Sequence, residues 1–291
     1  MKHNIESFLG CDSDYETSKL VIFGAPFDST TSYRPGARFG PSSIRHESYG
    51  IEIYSPYQDD DLTDHDIFDA GDIELPFGDP TAALGEIEAM TNKILSDGKT
   101  PLLVGGEHLV TLGALRAAAR KYPDLHVIQF DAHADLRDDY LGVELSHACV
   151  MRRAYDLLGD GRVHQFCIRS GLREEFSFAS EHTDMHKFGF EGLLSLVNSL
   201  AGAGTPVYFT IDLDCVDPSG FPGTGTPEAG GVSFTELHSA IMTVSHANVV
   251  AADICELAPG LDQSGISTAL ACKTMRELML AILNGKGDNN K

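Results

Sequence analysis

The chain is short of positive charge. Against 43 Asp and Glu it has 21 Lys and Arg, for a formal net charge of −22 over 291 residues. A surface that binds nucleic acid or an anionic membrane needs clustered Lys and Arg, so neither partner is expected, and small cations suit the balance better. Long apolar runs are missing as well. No stretch of about 18 apolar residues is available to span a bilayer, and the opening MKHNIESFLG has neither the basic start nor the apolar core of a signal peptide. The expectation is a soluble, cytoplasmic protein. Nor do the cysteines pair in sequence: Cys11, Cys149, Cys167, Cys215, Cys255 and Cys272 form no C-x-x-C, and runs such as HQFCI and AADICEL surround several of them. They read as reduced core thiols. GARFGP is Gly-rich but lacks the Lys-Ser/Thr of a phosphate loop.

What is present is a series of short apolar runs: KLVIF (19–23), TPLLV (100–104), HVIQF (126–130), VHQFCI (163–168), PVYFTI (206–211) and NVVAADI (248–254). They do not alternate with polar residues, so both faces of each strand are expected to be covered. Helical stretches lie between them. Over 80–97, Asp79 can cap, Pro80 suits the first turn, Leu84, Ile87 and Ile94 share one face, and Gly98 ends the pattern. Another helix starts at SFTE, where Ser233 and Glu236 can form a capping box and Val232 and Leu237 a hydrophobic staple. A last helix is expected over 265–284. Parallel strands need crossovers, so the alternation predicts an α/β fold, a three-layer α/β/α sandwich around a parallel sheet. A single domain is expected over 1–291, with only the tail GKGDNNK, about residues 285–291, disordered.

Ligands of such sheets bind beyond the carboxyl ends of the strands. VGGEH (104–108), DAHAD (131–135), DLD (212–214) and DICEL (253–257) each end or follow a candidate strand, so four distant clusters would share one rim. At a strand end alternate residues point the same way, which lets Asp131, His133 and Asp135 converge while Ala132 and Ala134 pack behind. Asp212 and Asp214 repeat the spacing, and His108 follows a Gly-Gly turn. Taken singly, DAHAD could be a surface turn and DLD a capping pair. Together they bring four carboxylates into one cleft, which repulsion and desolvation disfavour unless cations sit there. Two divalent cations balance the charge. Oxygen-rich ligation with two imidazoles favours Mn²⁺, while affinity order would let Zn²⁺, Ni²⁺ or Co²⁺ compete.

VGGEH, FDAHADLRDDY with SHACVMRR, TIDLDCVDP, PGTGTPEAGG and DICELAP, in this order, resemble the ureohydrolase (arginase/agmatinase) family, and most closely its agmatinases. The resemblance runs from about Gly24 to the last helix. It implies a three-layer fold, a binuclear manganese centre and a homo-oligomer, trimer or hexamer. One metal would then be held by His108, Asp131, Asp135 and Asp212, and the other by His133, Asp131, Asp212 and Asp214. Two cations sharing a water lower its pKa and furnish the hydroxide that an unreactive guanidinium carbon needs. Asp135 would relay a proton, His147 would exchange protons with solvent, and Glu256 would hold the guanidinium nitrogens.

Arginases follow this motif with an Asn- and Ser-rich loop that grips the amino-acid head of arginine. Here the segment is LRDDYLGVELSHAC, which favours agmatine, a guanidino substrate without a carboxylate. Asp138, Asp139 and Glu228 are candidate partners of its distal ammonium, whereas Arg137 could instead bind the carboxylate of guanidinobutyrate or guanidinopropionate. Leu109 and Glu107 stand where relatives often have Ser and Asp, which bears on how the ligands are supported. Two other classes stay open: a two-metal amide or phosphate-ester hydrolase, which would need more cationic groups near these motifs, and a non-catalytic polyamine sensor, whose mark would be a lost ligand.

Overall fold

All six apolar runs become strands of one parallel sheet in the computed structural model, which describes residues 6–285. They are β1 (Leu20–Ala25), β5 (Thr100–Gly105), β6 (His126–Phe130), β7 (Val163–Ile168), β9 (Pro206–Asp212) and β10 (Asn248–Cys255). Two further strands, β4 (Ile67–Asp72) and β8 (Asp184–Lys187), close its edges, giving the order β4-β1-β5-β10-β9-β6-β7-β8. A separate two-stranded ribbon pairs β2 (Tyr54–Ser55) with β3 (Asp60–Asp61). The inner strands β1, β5, β7 and β9 are buried along their whole length, whereas β4 and β8 are mostly half-exposed. That is why IFDAGD and DMHK carry Asp, Gly, His and Lys and escape a search for apolar runs.

Side chains alternate between two cores, as a strand buried on both faces requires. In β9, Val207, Phe209 and Ile211 enter one core and Tyr208 the other; in β6, Ile128 and Phe130 face the first and Val127 the second. The first core is closed by α1 (Gly40–Glu47), α6 (Leu193–Ala203), α7 (Phe234–Val244) and α8 (Ile266–Gly285). The second is closed by α2 (Pro80–Ser96), α3 (Thr111–Lys121), α4 (Val150–Leu158) and α5 (Arg173–His182). The architecture is therefore a three-layer α/β/α sandwich. Asp79 caps α2 by accepting the Ala82 N–H, and Ser233 and Glu236 form the reciprocal box at the start of α7. The six cysteines are buried and unpaired. The expected disordered tail lies outside the described residues, apart from Gly285, which ends α8.

The topology decides where chemistry can occur. The chain steps from β5 through α3 to β6 and leaves a gap, which β9 and β10 fill later. The carboxyl ends of β5, β10, β9 and β6 therefore stand side by side at a change of chain direction.

Candidate metal centre

Beyond β5 the chain must turn at once, and Gly105 and Gly106 allow it. A Cβ on Gly106 would run into the backbone of Phe27, which is tied here by Gly106 N–H to Ala25 O and Glu107 N–H to Phe27 O. A Cβ on Gly105 would press on Cys255 of β10. The close approach delivers His108 into the interior, 1% exposed, with its backbone N–H donating to Glu256 Oε1 at 2.8 Å. Glu107 turns the other way. Its buried carboxylate accepts from the Thr30 N–H and from the hydroxyls of Thr30 and Thr31, strapping residues 30–32 over the strand end. Burial, opposed by those hydrogen bonds, pushes Glu107 up to about 7.

The D-x-D spacing has a local reason. Asp131 Oδ1 accepts the His133 N–H at 2.6 Å, Asp212 Oδ1 accepts the Asp214 N–H at 2.8 Å, and Asp214 Oδ1 accepts the Ala132 N–H at 3.1 Å. Each aspartate thus uses one oxygen to brace a turn of the rim. The other oxygens face inward. Around His108 Nδ1 lie Asp131 Oδ2 and Asp135 Oδ2, each at 3.0 Å, and Asp212 Oδ2 at 3.6 Å. Asp214 Oδ2 lies 3.0 Å from His133 Nδ1 but outside hydrogen-bonding geometry, and no hydrogen bond satisfies it. Asp135 and Glu256 adopt positive φ, at 52° and 68°. Non-glycine residues held there mark a backbone constrained by its surroundings, often at a functional site.

Buried charges concentrate in this cluster. Burial first, then the neighbouring carboxylates Asp214, Asp131 and Glu256, raise Asp212 well above the ordinary carboxylate range. Burial and the charge of Asp131 bring Asp135 to about 7. Asp131 goes the other way: burial opposes its ionisation, but hydrogen bonds from His108 and His133 hold it low. Both histidines are disfavoured as cations by burial, yet the aspartates raise them well above 6.5. Gln129 Nε2 donates to Asp131 Oδ2 at 2.6 Å, but among the described residues no Lys or Arg pairs with the four aspartates, and the two imidazoles are their only potentially cationic partners.

Two overlapping groups, His108–Asp131–Asp212 and Asp131–His133–Asp214, bring candidate ligand atoms within 4.8 Å of one another. Inward oxygens, an unsatisfied Asp214 Oδ2 and the absence of a resident cation partner fit divalent metals at both. Asp135 adjoins the first group through His108. A cavity of about 240 Å³ opens beside them, lined among others by Ser32, His133, Asp135, Arg137, Tyr140, His147, Glu175 and Thr226. A larger hollow of about 600 Å³ lies beside the start of α8, but neither ligand group borders it.

His147 lies in the cavity wall, its Nε2 accepting the Ser32 N–H at 3.2 Å. Burial and the nearby His133 and His108 push it down to about 4, so it is neutral at pH 7. Arg137 also lines the cavity, over the Tyr140 ring and 3.7 Å from Glu175. Asp138 and Glu228 do not line it. Asp138 is largely exposed and pairs with Arg152 and Arg153, while the backbone carbonyl of Glu228 accepts from Arg169. The sequence shows the charge of both but not where the fold places them. Sequence reasoning missed Glu175, whose carboxylate accepts the Leu136 and Leu172 N–H groups and forms part of the wall. It also missed Arg169, which grips the carbonyls of Asp214 and Cys215 beneath the DLD turn.

The fold and this rim define a ureohydrolase acting on a linear guanidino substrate. Residues 18–281 match the model of the arginase family, and the chain belongs to that family. It is 47% identical over 279 residues to the agmatinase of Bacillus subtilis, covering 95% of this chain and 96% of that protein. A Thermococcus kodakarensis N(1)-aminopropylagmatine ureohydrolase is 38% identical over 262 residues, 88% of this chain and 87% of its own. The crystal structure of the agmatine ureohydrolase of Thermoplasma volcanium superposes with a TM-score of 0.87 at 34% identity, covering 96% of this chain and 94% of that one.

Proposed function

We propose that the protein hydrolyses agmatine to putrescine and urea at a pair of Mn²⁺ ions. The observation that carries the reading is the convergence of four aspartates and two histidines, with no Lys or Arg among their partners, beside a small cavity whose wall includes His133 and Asp135. The high identity to an agmatinase over nearly the whole chain supports the substrate. In this reading His108, Asp131, Asp135 and Asp212 hold one ion, His133, Asp131, Asp212 and Asp214 the other. When bound, the two ions lower the pKa of a shared water and so supply a nucleophile at neutral pH.

This chain's residues do the rest. Glu256 has Oε1 anchored on the His108 N–H, leaving Oε2 for a guanidinium nitrogen. Asp135, beside both the ion cluster and the cavity, accepts the proton of the attacking water and passes it to the departing amine, which leaves poorly unless protonated. His147, neutral, with Nε2 accepting the Ser32 N–H and its own proton on Nδ1, exchanges protons with solvent by taking one on Nε2 as it gives one up from Nδ1. Arg137 favours agmatine over guanidino acids: Glu175 offsets its charge and Tyr140 stacks on it, so it is not a free cation waiting for a carboxylate.

Urea release from agmatine, N(1)-aminopropylagmatine, guanidinobutyrate and arginine, measured with the Mn²⁺-loaded protein, tests the substrate. A preference for either acid-bearing compound overturns it. The homo-oligomer implied by the family resemblance remains part of the proposal and is checked by light scattering of the eluting protein.

A further inference from the structure

Four inner strands each hold a polar side chain that is wholly buried: Asp253 in β10, Thr210 in β9, Gln129 in β6 and Gln165 in β7. They are in register, Asp253 beside Thr210, Thr210 beside Gln129, and Gln129 beside Gln165, and all are 0% exposed. Thr210 and Gln129 stand two residues before Asp212 and Asp131, so the row runs beneath the rim that carries the ligand atoms. Two of its members reach the ligand residues from below: Gln129 Nε2 donates to Asp131 Oδ2 at 2.6 Å, and Thr210 Oγ1 lies 2.9 Å from His108 Nε2. A buried carboxylate such as Asp253 is costly, and among the described residues it forms no ion pair with any cation. Its hydrogen bonds come from the hydroxyls of Tyr208 and Thr210, both at 2.6 Å, and a longer contact from Cys255 Sγ at 3.5 Å.

We infer that Asp253, acting through Thr210, is a positioning group that fixes the tautomer of His108; the inference rests on the metal-centre reading given above. An ionised carboxylate only accepts, so the Thr210 hydroxyl must spend its proton on Asp253. The Thr210 oxygen is then an acceptor toward His108 Nε2, 2.9 Å away, and Nε2 must carry the ring proton. When the ring gives up its second proton to take a cation, the proton therefore leaves from Nδ1, and the lone pair appears on the nitrogen surrounded by Asp131, Asp135 and Asp212. A cation there needs that lone pair, and the opposite tautomer would aim a proton at it. Asp253 thereby acts on the ligand without touching the ion or the substrate.

Mn²⁺ titration calorimetry on metal-free protein tests this, together with ¹⁵N NMR of the His108 ring in that protein at a pH high enough for the ring to be neutral. Thr210→Val keeps the shape and removes the acceptor. It is expected to weaken one of two Mn²⁺ by about 10–100-fold and to release the ring from its single tautomer, while Thr210→Ser retains wild-type binding. Should Thr210→Val not fold, Asp253→Asn gives the second reading, with the same weakened ion expected. Two ions bound as in wild type, with His108 still protonated on Nε2, in whichever of the two variants folds, overturns the inference alone. Failure of Thr210→Ser to retain binding also overturns it, since packing rather than the hydroxyl would then be responsible. A wild-type protein that does not bind two ions overturns the metal-centre reading and this inference with it.

Discussion

The two halves of the cluster are held in different ways. On the inner side His108 is 1% exposed and both ring nitrogens are engaged, one by Thr210 and the other by the aspartates. On the outer side the His133 side chain is 25% exposed, its Nδ1 faces Asp214 and Asp131, and its Nε2 has no hydrogen-bond partner among the described residues. The inner half is braced from β5, β9 and β10, while the outer half depends on the turns that follow β6 and β9. Physically, an ion on the inner side should be released slowly and one on the outer side should exchange with solvent, because access and ligand freedom both differ.

The largest effect is expected where the halves join. Asp131 belongs to both ligand groups, so Asp131→Ala should abolish binding of both ions and lower urea release by more than the ~10–100-fold that loss of a supporting partner costs. Metal content by mass spectrometry, read beside activity, checks it; retention of two ions breaks the comparison. His133→Ala comes next: one ion is lost, the inner ion stays, and the same assay reports one rather than none. Gly106→Ala tests the brace rather than the ligands, since its Cβ meets the Phe27 backbone and neither can move far. Denaturant unfolding should show a loss of about 3 kcal/mol or more.

A pH effect follows from the charges. In the metal-free protein the aspartates raise His108 and His133 well above 6.5, against the effect of burial, so both hold protons near neutrality. Each must lose its proton to coordinate, so Mn²⁺ binding releases protons and tightens as pH rises. Calorimetry in buffers of different ionisation enthalpy measures the number released; zero would contradict the account. Smallest is the effect at the cavity wall. Arg137→Ala should change kcat/KM for agmatine by less than about tenfold and should not create activity on guanidinobutyrate.

Much of this was legible in the sequence, for reasons that also explain the omissions. The inner strands stood out because both faces are buried, and the edge strands β4 and β8 did not because solvent tolerates their polar residues. The rim stood out because DAHAD and DLD end apolar runs at a two-residue spacing that backbone hydrogen bonds make use of. What supports the rim did not. Thr210 in PVYFTI looks like an incidental polar residue, and although Asp253 opens the DICEL cluster, only cross-strand register puts the two side by side. Glu107 lies 77 residues from the Thr30 it straps, a partner no local pattern reveals. Asp138 pairs with Arg153 and neither it nor Glu228 is among the residues lining this cavity, a placement that charge in a sequence does not reveal.

Anomalous diffraction from a crystal grown with Mn²⁺ tests the central claim most directly. The account predicts two peaks, one against His108, Asp131 and Asp212 and one against Asp131, His133 and Asp214. A single peak, or peaks away from these side chains, would contradict it.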